Sequence, residues 1–159
     1  MNKDRIAIEG ELLARFFQLS NKLQTYLDQQ LKEDQLTTKQ MFLMIVIGSF
    51  ESDPGFSEIS DRFGTSRQNV KQLALKLEKN GYVEIYTDHN DSRFKRVKFT
   101  EKATDYWKKR DEMDVLMLNK LFGDIDIEKL ESLKDTMKQL DESIVSLGEG
   151  KELENENDI

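Results

Sequence analysis

Cysteine is absent from this chain of 159 residues, and proline and histidine occur once each. Without thiols there is no disulfide, no thiolate zinc site and no thiol-based redox sensing, and a reducing compartment costs the protein nothing. One histidine, His89, cannot assemble a His-based zinc sensor. No nucleophile adjacent to a histidine forms a hydrolytic triad, and there is no Gly-rich phosphate loop. Apolar runs fall well short of the roughly 18 residues that a membrane span needs. The opening Met1-Asn-Lys-Asp-Arg5 leads into an acidic amphipathic pattern rather than a signal-peptide core. These absences lead us to expect a cytoplasmic protein with no membrane partner, no catalytic residues, no metal and no cofactor. The length suits one compact domain, or a small domain with long helical additions.

The net charge is −7, which argues against a nucleic-acid partner until its distribution is considered. Between Pro54 and Thr100 there are nine bases and six acids, a net of +3, which leaves fifteen bases and twenty-five acids elsewhere, a net of −10. Positive charge is therefore concentrated in one region between acidic flanks. Such flanks are ordinarily solvated surface.

Apolar residues at Leu12, Leu13, Phe16, Phe17, Leu19, Leu23, Tyr26, Leu27 and Leu31 recur every three or four positions and predict one long helix over 5–31. Thr37-Thr-Lys-Gln40 matches a capping box. The run from Met41 to Phe50 that follows predicts a helix too apolar to be exposed on any face. Pro54 disfavours helical geometry in Asp53, so Ser52-Asp-Pro-Gly55 is a break. A short helix to Phe63 follows, then Gly64, which tolerates the positive φ of a helix C-terminus, and Ser66 as the N-cap of a further helix ending near Asn80-Gly81. On that helix Val70, Leu73, Ala74 and Leu77 share one side, and Leu75 is the misfit among polar residues on the rest. Val83, Ile85, Val97 and Phe99 alternate as in a hairpin with a turn over 88–93. Thr100 starts a helix with an apolar face through Tyr106, Trp107, Met113, Leu116, Met117, Leu121 and Phe122. After an interruption at Gly123-Asp-Ile-Asp126, Leu130, Leu133, Met137, Leu140, Ile144 and Leu147 form a heptad seam. The acidic tail over 151–159 is expected to fray.

The fold class expected is mainly α with a small β-hairpin, a winged helix-turn-helix. Its organisation is an N-terminal helix (1–35), a DNA-binding region (36–100), C-terminal helices (101–148) and an acidic tail (149–159). DNA recognition requires cations and helix N-termini for phosphates, together with fork-shaped or amide side chains for base edges. Ser66-Arg-Gln-Asn69 supplies both: Arg67 suits guanine O6 and N7, and Gln68 and Asn69 suit adenine N6 and N7. Lys71, Gln72 and Lys76 lie further along, where backbone contact is expected. His89 reads as an exposed turn residue, and Asp124-Ile-Asp-Ile-Glu128 reads as helix capping, since it lacks the ligand spacing of an EF-hand.

From about Leu36 to Trp107 the chain resembles the MarR family of transcriptional regulators. The matching residues are Leu36-Thr-Thr, Ser57-Glu-Ile-Ser-Asp-Arg-Phe-Gly64, Ser66-Arg67 with Val70, Leu77-Glu-Lys-Asn-Gly-Tyr-Val83, Asp88-His-Asn-Asp-Ser-Arg93 and Phe99-Thr-Glu-Lys102. The resemblance implies that the helix from Ser66 enters the major groove of double-stranded DNA and that Arg93 enters the minor groove. Asp91 would support the wing, with Lys95 beside it. It also implies a homodimer built from the first and last helices, and in many members a small effector, here of aromatic or apolar character, in a crevice above the reader. Phe16, Phe17, Met41, Met44 and Trp107 are candidates to line that crevice, although residues of this type at helical spacing more often belong to a core. The two seams expose more apolar surface than a small winged helix covers, in agreement with a dimer, while an intramolecular helical hairpin is the alternative. A twofold pair places its readers roughly 34 Å apart and predicts a pseudo-palindromic operator, with the protein acting as a repressor. The competing reading is a winged helix that contacts an acidic protein partner and has no specific DNA site.

Overall fold

The structure is a computed structural model that describes residues 3–88 and 91–148. Its elements run α1 (Lys3–Gln30), α2 (Thr38–Gly48), α3 (Phe56–Phe63), α4 (Arg67–Lys79), β1 (Val83–Thr87), β2 (Lys95–Phe99), α5 (Glu101–Phe122) and α6 (Ile127–Gly148). This is the mainly α winged helix-turn-helix expected. Two compact units divide the chain, Met1–Lys108 and Lys109–Ile159, with the division inside α5. Among the described residues no helix is long and apolar enough to cross a membrane. His89 and the acidic tail, both given roles above, lie outside the described residues.

The start of α2 is set by local chemistry. The Thr37 hydroxyl accepts from the Gln40 amide at 3.3 Å, and the Gln40 side chain accepts from the Thr37 amide at 2.9 Å, a complete capping box. Asp28, near the end of α1, accepts from both the Thr38 backbone N–H and the Thr38 hydroxyl at 2.7 Å. The backbone bond, and then the hydroxyl, hold this carboxyl below the ordinary aspartate pKa.

The expectation that α2 is buried all round is corrected. Leu43, Met44, Val46 and Ile47 are buried, but Phe42 is 45% and Ile45 48% exposed. Positions 42 and 45 lie one turn apart on the side of the helix opposite the core contacts. Phe42 meets the Phe63 ring of α3 at 4.9 Å, and Phe63 is itself only partly buried. The helix also stops at Gly48, two residues before Phe50, with Ser49 as its C-cap.

Gly55 opens α3, its amide donating to Glu58 at 2.8 Å, and Gly64 closes it at φ 73°, where a side chain would be strained. α4 buries Val70, Leu73, Ala74 and Leu77. β1 and β2 pair antiparallel with Val83 opposite Phe99 and Ile85 opposite Val97. A short third segment extends the ladder: the Val97 amide donates to the Pro54 carbonyl at 3.0 Å, and Gly55 bridges Arg96. The core of the first unit gathers Leu31, Leu43, Met44, Ile59, Val70, Leu77, Val83 and Val97, each at most 2% exposed.

In the second unit, α5 turns into α6 through Gly123, where a Cβ would run into the Asn119 carbonyl. α6 presents the expected seam to solvent: Leu133, Met137, Leu140, Ile144 and Leu147 are 39% to 66% exposed. No described residue from 111 to 147 is buried.

Candidate nucleic-acid interface

The helix-turn-helix is made by α3, the turn Gly64-Thr65-Ser66, and α4. Ser66 is the N-cap, and its hydroxyl accepts from the Asn69 amide at 3.2 Å. The remaining first-turn amides of α4 leave a positive pole at an exposed end, suited to a phosphate.

Because Val70, Leu73, Ala74 and Leu77 hold one face of α4 in the core, the helical period turns Arg67, Gln68, Lys71, Gln72 and Lys76 outward, and all five are exposed. Leu75 shares that side at 46% exposure. Asn69 differs from its neighbours. It is half buried, and its amide group donates to the Thr65 hydroxyl at 3.0 Å, so it braces the turn.

The hairpin carries the second cluster. Arg93 forks onto Asp91, with Nη2 at 2.6 Å from Oδ2 and Nε at 3.0 Å from Oδ1, and the Arg93 backbone amide also donates to Asp91 at 3.0 Å. The Arg93 side chain donates most to holding the Asp91 carboxyl below its usual pKa, followed by that backbone bond; the same pairing raises the guanidinium. The Arg93 side chain is nonetheless 82% exposed. The Lys95 ammonium donates to the Thr87 hydroxyl at 2.6 Å and is exposed.

Arg96 was not singled out from the sequence. Its guanidinium donates to Asp88 at 2.7 Å, to Glu58 at 3.0 Å and to the Asp53 carbonyl at 3.1 Å. The hydrogen bond that it donates to the Asp88 carboxylate is the main cause of its raised pKa. Opposite Arg96 on β1, the Tyr86 hydroxyl donates to the Asp53 carboxylate at 2.7 Å. The hairpin is thereby fastened to the loop before α3 and to the first turn of α3. Glu58 accepts from the Gly55 amide and from Arg96 with one oxygen, Oε2, so the α3 start and the wing share an anchor. The only local signal was that Arg96 is on the strand face opposite to buried Val97.

The arrangement presents a capped cationic helix beside a braced hairpin ending in exposed cations, which matches what a duplex requires of a reader helix and a wing. No family model matches the chain. Solved structures do resemble it. A MarR/EmrR family transcriptional regulator from an Acinetobacter species is 21% identical, covering 92% of this chain and 99% of its own, with a TM-score of 0.76. The S. aureus MepR–DNA complex is 18% identical over 82% of this chain and 96% of its own, with a TM-score of 0.71. An organohalide-sensing transcriptional regulator in a form bound to 2,4-dichlorophenol is 18% identical over 88% of this chain and 83% of its own, with a TM-score of 0.77. With six helices and an antiparallel hairpin among the described residues, the chain has the winged helix-turn-helix fold of the MarR-family transcriptional regulators.

Proposed function

We propose that this chain is a sequence-specific DNA-binding transcriptional regulator, not an enzyme, that binds a pseudo-palindromic operator as a homodimer in the cytoplasm. The observation that carries the reading is the outward row Arg67, Gln68, Lys71, Gln72 and Lys76 on a helix whose N-cap, Ser66, is exposed. Arg67 and Gln68 read base edges, Lys71 and Lys76 neutralise phosphates, and Asn69 acts chiefly by holding the turn. Arg93, supported by Asp91, enters the minor groove, with Lys95 on the adjoining backbone. The DNA complex of the similar S. aureus protein supports the DNA-binding reading. Repression follows from a dimer that covers its operator.

The exposed apolar residues of α1, including Leu12, Leu13, Phe17 and Leu23, and the seam of α6 support self-association. The dichlorophenol-bound regulator of the same fold supports a small aromatic or apolar effector. Of the crevice candidates, Met41 and Met44 are buried in the core, whereas Phe17 is 67% exposed.

The reading is tested by titrating a fluorescent duplex, recovered by selection, at several salt concentrations. Binding should be sequence-selective and fall steeply with salt. Replacing Lys71 with Ala should weaken binding to every sequence alike and lower the salt slope by about one. Equal affinity for selected and scrambled duplexes would favour the protein-interaction reading instead.

A further inference from the structure

We propose that Phe94 is an apolar wedge that the wing presses between stacked base pairs from the minor groove, kinking the bound duplex. The proposal rests on the DNA-binding reading above and adds a residue and a deformation to it. Phe94 is 53% exposed, the one exposed large apolar residue described between Gly81 and Thr100. The other exposed large apolar residues described lie on helices or in the turn between α5 and α6, whereas Phe94 stands at the end of a two-stranded ladder.

The ring is also well placed to do work. The Phe94 amide donates to the Asp91 carbonyl at 3.0 Å and its carbonyl accepts from the Asp88 amide at 2.9 Å, so its backbone is pinned at the end of the ladder. Exposed cations flank it, Arg93 held by Asp91 and Lys95 held by Thr87. The Arg93 guanidinium lies 5.9 Å from the ring centre, leaving the ring beside a charge that phosphates attract. Below, Arg96 ties the hairpin to α3 and its preceding loop, so a push at the tip is resisted by the body of the unit. A phenyl ring on a fixed mount between cations has the make-up of side chains that unstack a base step from the minor groove. The cost of unstacking is lowest at pyrimidine–purine steps such as TA and CA/TG. The operator should therefore carry such a step where each wing lands, outside each half-site read by α4.

The test uses the full-length protein and duplexes that it selects from a random pool, with 2-aminopurine placed in the flanking step and donor and acceptor dyes at the ends. Wild type should raise the 2-aminopurine fluorescence and shorten the end-to-end distance. Phe94→Leu, which keeps an apolar wedge, should retain both effects. Phe94→Ala should lose both, together with about tenfold in affinity, while its melting temperature stays that of wild type. An equal fluorescence rise with Phe94→Ala, or none with wild type on a duplex that it binds specifically, overturns the wedge but leaves the DNA-binding reading standing. Failure of wild type to select any sequence overturns that reading itself.

Discussion

One guanidinium, that of Arg96, touches three parts of the chain: Asp88 at the wing, Glu58 in the first turn of α3, and the carbonyl of Asp53. Its side chain is 32% exposed and that of Asp88 14%, so the pair is screened less than a surface ion pair. Replacing Arg96 with Met should cost about 1–2 kcal/mol of stability and speed hydrogen exchange at Val97, whose amide donates to Pro54 beside it. Operator affinity should fall as well, because the wing loses its fixed angle to α4. Unchanged exchange at Val97 would show that the ladder alone holds the hairpin. At Arg93 the expectation is different, since its partner Asp91 is two residues away and both sit in the wing. Arg93→Ala should weaken operator binding without altering the melting temperature, and unchanged affinity would remove the wing from the DNA interface.

At the scale of elements, the junction of α1 and α2 depends on one carboxylate accepting two bonds from Thr38. Asp28 has its pKa lowered in the fold, chiefly by the Thr38 backbone N–H. The unfolded chain therefore binds that proton more readily. The stabilisation is present in full above the ordinary aspartate pKa and is lost as pH falls through the lowered folded value. Asp28→Asn should remove this component, so the variant's stability should fall less than wild type's below about pH 4. Parallel acid denaturation curves for the two proteins would contradict it.

Much of this element layout could be read from the sequence because helix ends are written locally. Thr37 and Gln40, Gly64, and Ser66 each act within three or four residues, so the cap and turn rules locate them. The two faces of α2 could not be read, because a helix apolar at nearly every position gives no periodic contrast to say which side meets the core. Arg96 was missed for another reason: Glu58 and Asp53 are 38 and 43 residues away in sequence, and only the folded hairpin brings them together. Asn69 has the right side chain for adenine, and its amide also donates to the Thr65 hydroxyl, a contact that spacing alone does not reveal.

At the scale of the whole molecule, apolar exposure and charge point the same way. Met113, Leu116, Leu133, Met137 and Ile144 are exposed in the second unit, as are Leu12, Leu13 and Phe17 in the first. Removal of such faces from water stabilises a complex by about 25 cal/mol per Å² of apolar area, less the cost of association. Sedimentation at micromolar concentration should therefore report a dimer, and Leu133→Glu with Ile144→Glu should shift it to monomer. A stable wild-type monomer would favour the helical hairpin instead. In the proposed DNA-binding role, the charge of −7 would disfavour random DNA at a distance, while the +3 region carrying α4 and the hairpin would engage at close range. Selection of bound sequences from a random duplex pool decides whether two α4 readers act as a twofold pair: an inverted repeat whose half-sites are about 10 base pairs apart, centre to centre, is expected, and recovery of a single unrepeated motif, or of no motif, would contradict it.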